Sequence, residues 1–400
     1  MTARADLVVI GAGLAGSAAA WAASARGASV VVLEAFGPLH KNGSSHGSAR
    51  IFRRAYPDPL YVRLTGQAGQ RWRQLEDEAD EALLQLTGGL DFGPLRDPEH
   101  LHAVLTACGV PASLLSPAQA AERWPGISFA PPVGSAPAAG PVMVHAEAGA
   151  LDPGRATAAM LRLAAARGAD VRFGTPVTRL SASPSGDEAL AHTDSGTFAA
   201  PVAVIAAGAW LAPLAVGLVR LPALTVTQEQ VFHLAPRGAT PAGDGAPSAA
   251  TSAARPYGDD PWPVFIYGDD AGYFYGLAGG RDGEVPGAVK LGEHHGGKVT
   301  TAAARDGVVD PAARERATAF AARRLPGLDS APVNEVTCLY TTTSNEDFIL
   351  DRQGPFVVAS ACSGHGAKFA PLLGEIIADL AVGKPPPDPR FTLATHLAAR

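Results

Sequence analysis

Three kinds of residue in this 400-residue chain could do chemistry: a glycine triplet, two isolated lysines and a cysteine. Gly11, Gly13 and Gly16 form G-x-G-x-x-G. The first permits a tight turn, the second lets backbone approach a pyrophosphate, and the third lets the following helix lie close against its strand. Glu34 stands near the offset of about 20 residues at which a carboxylate accepts from a ribose hydroxyl. Together they imply a bound adenine dinucleotide. Lysine is scarce, with five against 27 arginines. Lys290 in VKLGEHH and Lys368 in SGHGAKFAP therefore raise a question. A compact ammonium can enter a tight pocket and set a point charge beside a reacting atom; a solvated surface position is the alternative for each. Cys338, in VTCLYTTTSNEDFILD, reads from composition as a small buried hydrophobe.

These residues need elements to hold them. Val8 to Ile10 is a continuous apolar run, expected of a strand buried on both faces of a parallel sheet. An alanine-rich helix from Ala15 to Arg26 follows, presenting its N–H groups and positive dipole end to phosphates. Gly27 stops it, and a second strand runs from Val30 to Leu33. Gly43 to Arg54, GSSHGSARIFRR, is a glycine- and serine-rich loop that turns basic. Leu64 to Leu86 reads as helix, with Glu76, Asp77, Glu78, Asp80 and Glu81 on a solvated face. From Asp91 to Val144 the strand–helix alternation is lost and proline recurs. It returns with a helix from Gly154 to Arg167, strands at Asp170 to Phe173, near Val177 and at Val202 to Ile205, and a turn at Pro184 to Asp187. Leu224 to Leu234, Phe265 to Tyr267, Tyr273 to Leu277 and Val289 to Leu291 read as an antiparallel sheet. Val336 to Leu380 reads as strand, turn, strand and a helix from Phe369. Just before that helix, the glycine-punctuated Ser363 to Phe369 can turn N–H groups toward an anion, such as the edge of a flavin ring that gains charge.

The fold class is therefore α/β. A Rossmann-like domain is expected from residues 1–88, 149–219 and 336–400. A second α+β domain, on a mainly antiparallel sheet, is expected from residues 89–148 and 220–335. Hydrophobic content of 47% and a net charge of −6 give no reason to expect nucleic acid or an anionic membrane, so the partner is a small molecule. Cys108, Cys338 and Cys362 form neither a C-x-x-C pair nor a disulfide framework, which favours a reducing cytoplasm. No export signal opens the chain. Phe198 to Val219 is uncharged and long enough to span a bilayer, but Pro201, Gly208 and Pro213 mark it as strand, turn and short helix.

Four blocks, VIGAGLAGSA at Val9 to Ala18, GSSHGSARIFRRAY at Gly43 to Tyr56, VKLGEHH at Val289 to His295, and CLYTTTSNEDFILD with SGHGAKF at Cys338 to Phe369, carry a resemblance. In this order they resemble the monomeric sarcosine oxidase and N-methyltryptophan oxidase family of D-amino-acid-oxidase-like flavoproteins. The resemblance reverses the reading of Cys338, which falls where the family attaches FAD covalently through an 8α-cysteinyl thioether. It places His46 and Arg50 beside the flavin ring, where a cation favours both flavinylation and reduction. Lys290 matches the lysine whose charge activates O2, and His294 a nearby active-site histidine. Arg53 and Lys368 match the pair that clamps a substrate carboxylate, while Tyr275 and Tyr340 match aromatic residues of the substrate cavity. Val177 matches a position against adenine. Leu14, Ala15, Ser44, Ser45, Ala207, Gly208, Trp210, Gly364, His365 and Gly366 complete the implied FAD-binding set.

The implied activity is an FAD-dependent oxidase of an N-methyl or cyclic amino acid, or a related amine. Hydride passes to flavin N5, an imine forms, and O2 becomes H2O2 in a cytoplasmic monomer that holds no metal. Alternatives are an oxidase of a tailored natural-product intermediate, a flavin dehydrogenase using another acceptor, and a nucleotide-binding sensor or NAD-dependent protein without amine chemistry. Two departures bear on the substrate. Ala235 to Pro263 is enlarged, raising the question of a lid, and the spacing from Tyr275 to Lys290 is a few residues longer than the family's.

Overall fold

In the computed structural model, which describes residues 2–131, 140–239 and 261–398, the strand Leu7–Ile10 is buried at every position. It lies inside a six-stranded sheet whose order is Asp170–Arg172, Val30–Leu33, Leu7–Ile10, Val202–Ile205, Phe356–Ser360 and Ile349–Gln353. All neighbours are parallel except the last pair. Alternation along the strands divides the core between two faces. Val9, Val32, Val204 and Val357 meet the helices Leu14–Ala25, Pro153–Ala166 and Ala370–Ala381. Val8, Ile10, Val31 and Leu33 meet Leu180, Ala191 and Phe198 of a four-stranded sheet formed by Thr2–Arg4, Gly196–Ala200, Ala189–Thr193 and Val177–Ala182. A covered parallel sheet of this kind opens its ligand crevice at the carboxyl ends of its strands. Residues 11–16 and 206–210 leave two neighbouring strands at that edge.

A nine-stranded, mainly antiparallel sheet carries the second group of candidates. It runs Lys298–Thr300, Thr225–Pro236, Val289–His294, Gly272–Ala278, Val264–Asp269, Gly89–Phe92, Val142–His145 and Ala112–Leu115, with Leu328–Thr342 also paired to Thr225–Pro236. One face presents Phe232, Phe265, Phe274, Val289 and Leu291 to Ala317 and Phe320 of the helix Pro311–Arg324. The register puts Lys290 opposite both His233 and Leu277, Cys338 opposite Glu229, Tyr340 opposite Thr227, and Tyr275 opposite Gly292. Because side chains alternate, Lys290, His294, Tyr275, Cys338 and Tyr340 all project from the other face. A three-stranded sheet, Arg50–Arg53, Ala148–Leu151 and Leu84–Leu86, completes the strands.

The helix expected over Leu64 to Leu86 instead spans Pro59–Ala79. Asp58 caps it, accepting from Leu60 N at 2.8 Å, and Pro59 supplies the fixed φ of a first helical residue. It ends at Asp80, which is left-handed with φ 52°, and Leu84–Leu86 pairs as a strand. The acidic run beyond is more than a solvated face. Glu76 accepts from the backbone N–H groups of Leu83 and Leu84 at 2.7 and 2.8 Å, and Glu78 accepts from Trp21 Nε1 at 2.9 Å. The boundary expected between residues 335 and 336 falls inside the strand Leu328–Thr342. Val202–Ile205 is a buried strand, followed by a helical turn Gly208–Trp210 and the short helix Leu211–Ala215, and no helix among the described residues is long and apolar enough to cross a membrane. Most of Ala235 to Pro263 lies outside the described residues.

Two glycines follow from the turn after the first strand. Gly11 has φ +96°, and a Cβ there would lie 2.6 Å from the Ala206 carbonyl oxygen. A Cβ on Gly16 would lie 1.9 Å from the Gly11 oxygen and 3.3 Å from Val9 Cγ1. Gly16→Ala should therefore destabilise the protein by about 2–4 kcal/mol in chemical denaturation. Gly27→Ala meets nothing within 4 Å and carries only the cost of its φ of +83°, about 1–2 kcal/mol.

Candidate active site

At the carboxyl edge of the six-stranded sheet lies a cavity of about 690 Å³. Gly11, Gly13, Leu14 and Ala15 line one end, with Glu34 and Val177 beside them and Ala207, Gly208 and Trp210 across. Ser44, Ser45, His46 and Arg50 line a side, and Cys338, Tyr340, Gly364 and Gly366 line the far end. Gly16, His365, Lys368, Lys290, His294, Arg53 and Tyr275 stand outside this lining; the first packs the helix onto its strand and the others form two clusters described below. Glu34 spends both oxygens on the turn, one accepting from Ala12 N at 2.7 Å and the other from Phe36 N at 3.0 Å, with His40 Nε2 3.3 Å away. Burial opposes the ionisation of Glu34, but the bonds from His40, Ala12 and Phe36 outweigh it and lower its pKa. Gly13 offers no side chain to cap the helix Leu14–Ala25; Ser45 Oγ instead accepts from Leu14 N at 3.0 Å. A dipole-positive helix start at a cavity is suited to an anion.

One cluster centres on the loop before the strand Arg50–Arg53. Arg50 Nη2 donates to the carbonyls of Ser44 at 3.0 Å and His46 at 2.8 Å, and Nη1 donates to its neighbour Ala49 at 2.9 Å. Lys290 Nζ donates to the same Ala49 oxygen at 3.0 Å. Ser44 Oγ donates to the Leu339 carbonyl, which ties the loop to the Cys338 strand. Lys290 is only 4% exposed, and burial and the Arg50 charge bring its pKa down to about 7, against the opposing pull of Cys338 and Asp282. His46 sits in the field of these cations. Burial and the charges of Arg50, Lys290 and Arg305 press it down to about 3, so the imidazole is neutral and Arg50 supplies the cation at this wall. Burial raises the Cys338 pKa, while Arg50 and Lys290 pull it down.

The other cluster uses the next arginine of the same strand. Arg53 Cζ lies 4.5 Å from the centroid of Tyr56, and Lys368 Nζ lies 5.6 Å from that centroid. Tyr56 OH pairs with His365 Nδ1 at 3.0 Å. Trp72 Nε1, from the helix Pro59–Ala79, donates to the Lys368 carbonyl at 2.8 Å and fixes the turn. Neither cation has a carboxylate partner among the described residues. Arg53 Nη1 is buried without any hydrogen bond, and Lys368 Nζ reaches the His365 carbonyl at 2.6 Å. Burial, followed by the charge of Arg53, holds the Lys368 pKa well below its ordinary value. His294 and Tyr340 have ring centroids 5.9 Å apart, and a Cβ on Gly364 would lie 2.4 Å from Tyr340 and 2.9 Å from His294. Tyr275 is coupled to Cys338, Arg50 and Tyr340, and burial first of all raises its pKa. Burial brings His294 to about 4, so it too is neutral.

Sequence reasoning passed over three residues. Tyr56 lies beside both cations, although only its place in a motif was noted. Cys362 also lines the cavity, with Sγ 3.8 Å from Ser44 Oγ; its place immediately before the glycine-punctuated turn was the available signal. Asp282 had none, because only folding brings it to Ser48.

The family described as FAD dependent oxidoreductase matches residues 6–380. The chain belongs to this family. The enzyme is 32% identical over 389 residues to a monomeric sarcosine oxidase of Streptomyces avermitilis, across 94% of this chain and 93% of that protein. It is 31% identical over 391 residues to an N-methyl-L-tryptophan oxidase of Yersinia pestis, across 96% of each. Among solved structures, NikD, an unusual amino acid oxidase essential for nikkomycin biosynthesis, superposes with a TM-score of 0.79 at 26% identity, covering 97% of this chain and 96% of that one. An L-proline dehydrogenase from P. horikoshii gives the same TM-score at 20% identity and shares the fold.

The cavity fits FAD on its own features. The Gly11 to Gly16 turn leaves room for backbone contact with phosphates, and the dipole-positive helix start lines the same part of the cavity. The wall near Cys338 is cationic, matching a ring that gains negative charge on reduction. The unpaired cations at Arg53 and Lys368 have a stability consequence. Lys368 has a depressed folded pKa, so the unfolded chain binds the extra proton and stability is lost as pH falls from 10.5 through the folded value. Lys368→Met should therefore stabilise the ligand-free enzyme by about 1–3 kcal/mol at neutral pH, with the gain shrinking as pH rises toward 10.5, as read by denaturant titration across pH.

Proposed function

We propose that this enzyme is an oxidase of a carboxylate-bearing secondary amine, an N-methyl or cyclic amino acid. Two buried cations with no carboxylate partner among the described residues, Arg53 and Lys368, both beside the Tyr56 ring, carry the proposal. A substrate carboxylate would satisfy both, the guanidinium binding through its planar fork and the ammonium completing the clamp. FAD, when bound, supplies the hydride acceptor and passes two electrons to O2, so that amine and O2 yield imine and H2O2.

The protein's own contribution is placement and charge. The carboxylate clamp fixes the amine end of the substrate relative to the cavity. Tyr340, Tyr275 and His294 would border it, and the neutral His294 imidazole adds no charge to repel an ammonium. No general base is needed where the amine reacts in its uncharged form. Arg50 and Lys290 would hold positive charge where negative charge develops as electrons leave the substrate and reach O2. Cys338 is the residue that would hold FAD covalently; burial raises its thiol pKa, and the charges of Arg50 and Lys290 offset part of that rise. The reading extends to a monomer acting in a reducing cytoplasm, supported by three free cysteines, and to the two-domain division expected from the sequence.

Three outcomes test it. The purified enzyme should release one H2O2 per imine in air with N-methyl or cyclic amino acids; reduction without peroxide would mark a dehydrogenase. Flavin should stay with acid-precipitated wild type and with Cys362→Ser, and be lost from Cys338→Ser. Lys290→Met should slow reoxidation by about 100-fold or more in stopped flow while sparing anaerobic reduction. Its charge is present below its pKa of about 7, so wild-type reoxidation should slow as pH rises through that value and the variant's should not.

A further inference from the structure

The strands carrying Tyr275 and Lys290 are joined by residues 279–288, whose helical turn Gly280–Gly283 holds Asp282 against the loop beside the cavity. The contact is specific at three points. Asp282 Oδ2 accepts from Ser48 N at 2.5 Å, Asp282 N donates to Ser48 Oγ at 3.0 Å, and Asn334 Nδ2 donates to the Asp282 carbonyl at 2.8 Å. A Cβ on Gly47 would lie 3.0 Å from the Asp282 carboxylate and 3.3 Å from Arg50 Nη1, so the two charges flank one glycine. The next residue after Ser48 is Ala49, whose carbonyl takes bonds from both Lys290 and Arg50. One short stretch of backbone thus joins an anion on one side to two cations on the other.

We propose that Asp282 is a positioning residue, the counter-anion that holds the Gly47 to Ala49 backbone under Lys290 and Arg50 and keeps the Lys290 ammonium charged. The inference deepens the proposed role of Lys290 in the oxygen reaction and rests on it. The groups facing Lys290 support it. Arg50 and His46 come from the loop and its strand, and His233 is the cross-strand partner on Thr225–Pro236. Cys338 comes from Leu328–Thr342, and Leu277 opposite is apolar. Burial brings His233 down to about 4 and His46 to about 3, so both are neutral at the pH of interest. Burial and then Arg50 oppose the Lys290 charge; Cys338 and after it Asp282 favour it, Asp282 being the carboxylate of the two. Although burial opposes its ionisation, the bonds from Ser48 and the Lys290 charge lower the Asp282 pKa, so it is anionic.

Asp282→Asn separates charge from position, since the amide oxygen can still accept from Ser48 N. The five lysines make the charge directly readable by NMR of 13Cε-lysine-labelled enzyme, with Lys290→Met assigning the signal. In the holoenzyme, the Lys290 titration midpoint should fall by about one pH unit or more in Asp282→Asn and recover in Asp282→Glu. The pH at which reoxidation slows should fall by the same amount, with the low-pH rate retained. A Lys290 midpoint that does not move in Asp282→Asn overturns the proposal. Asp282→Ser removes the charge with a smaller polar side chain and gives the same readout should the amide variant fold poorly. The two ideas fail separately: normal reoxidation in Lys290→Met removes the oxygen role, while the NMR midpoint alone decides whether Asp282 sustains the charge.

Discussion

Burying positive charge is among the costlier things a fold can do, and this enzyme does it at two neighbouring places. Arg50 and Lys290 share one carbonyl beside the cavity; Arg53, on the same strand as Arg50, and Lys368, in the turn Gly366–Phe369, both lie beside the Tyr56 ring. Arg53 and Lys368 are held by an aromatic face and a backbone carbonyl and by no carboxylate among the described residues, whereas Arg50 and Lys290 share their backbone segment with the Asp282 carboxylate. Such an arrangement persists because the surrounding elements fix it. The nine-stranded sheet sets Lys290 by register, the Trp72 indole ties down the Lys368 turn, and the strand Arg50–Arg53 is paired to Ala148–Leu151. On the proposed function, the stability given up there leaves partners already in place for groups that gain negative charge or arrive with it.

The two halves of the architecture divide this labour. The parallel sheet and its glycine turn present a helix start to phosphates, a task of backbone geometry. The antiparallel sheet presents side chains: alternation sends Phe232, Phe274 and Leu291 into the helix-covered core and Lys290, Tyr275, Cys338 and Tyr340 toward the cavity. A one-residue slip in the register of Val289–His294 would exchange Lys290 for an apolar neighbour and send the ammonium into the Phe320 core.

Much of this was legible in the sequence. The glycine spacing, the apolar strands and the capped helices are local signals, and local signals gave the first strand, its helix and the antiparallel strands within a few residues. The errors fell where tertiary structure decides. Nothing local distinguishes Leu84–Leu86, which is strand only because Ala148–Leu151 lies beside it. Which of His46 and Arg50 carries positive charge was open until Arg50, Lys290 and Arg305 were found around the imidazole. Asp282 is an unremarkable acid in a turn until the fold sets it against Ser48. Motif resemblance named the parts of the site, whereas charge states came only from the assembled surroundings.

The account depends most on Arg53 and Lys368 being kept for a ligand's carboxylate. Anaerobic titration of the flavin spectrum with an N-methyl amino acid and with its carboxamide compares that charge directly. The carboxylate should bind at least about 100-fold more tightly than the amide, the loss expected when charge-assisted bonds to two buried cations are removed. Equal affinity for the two would contradict it.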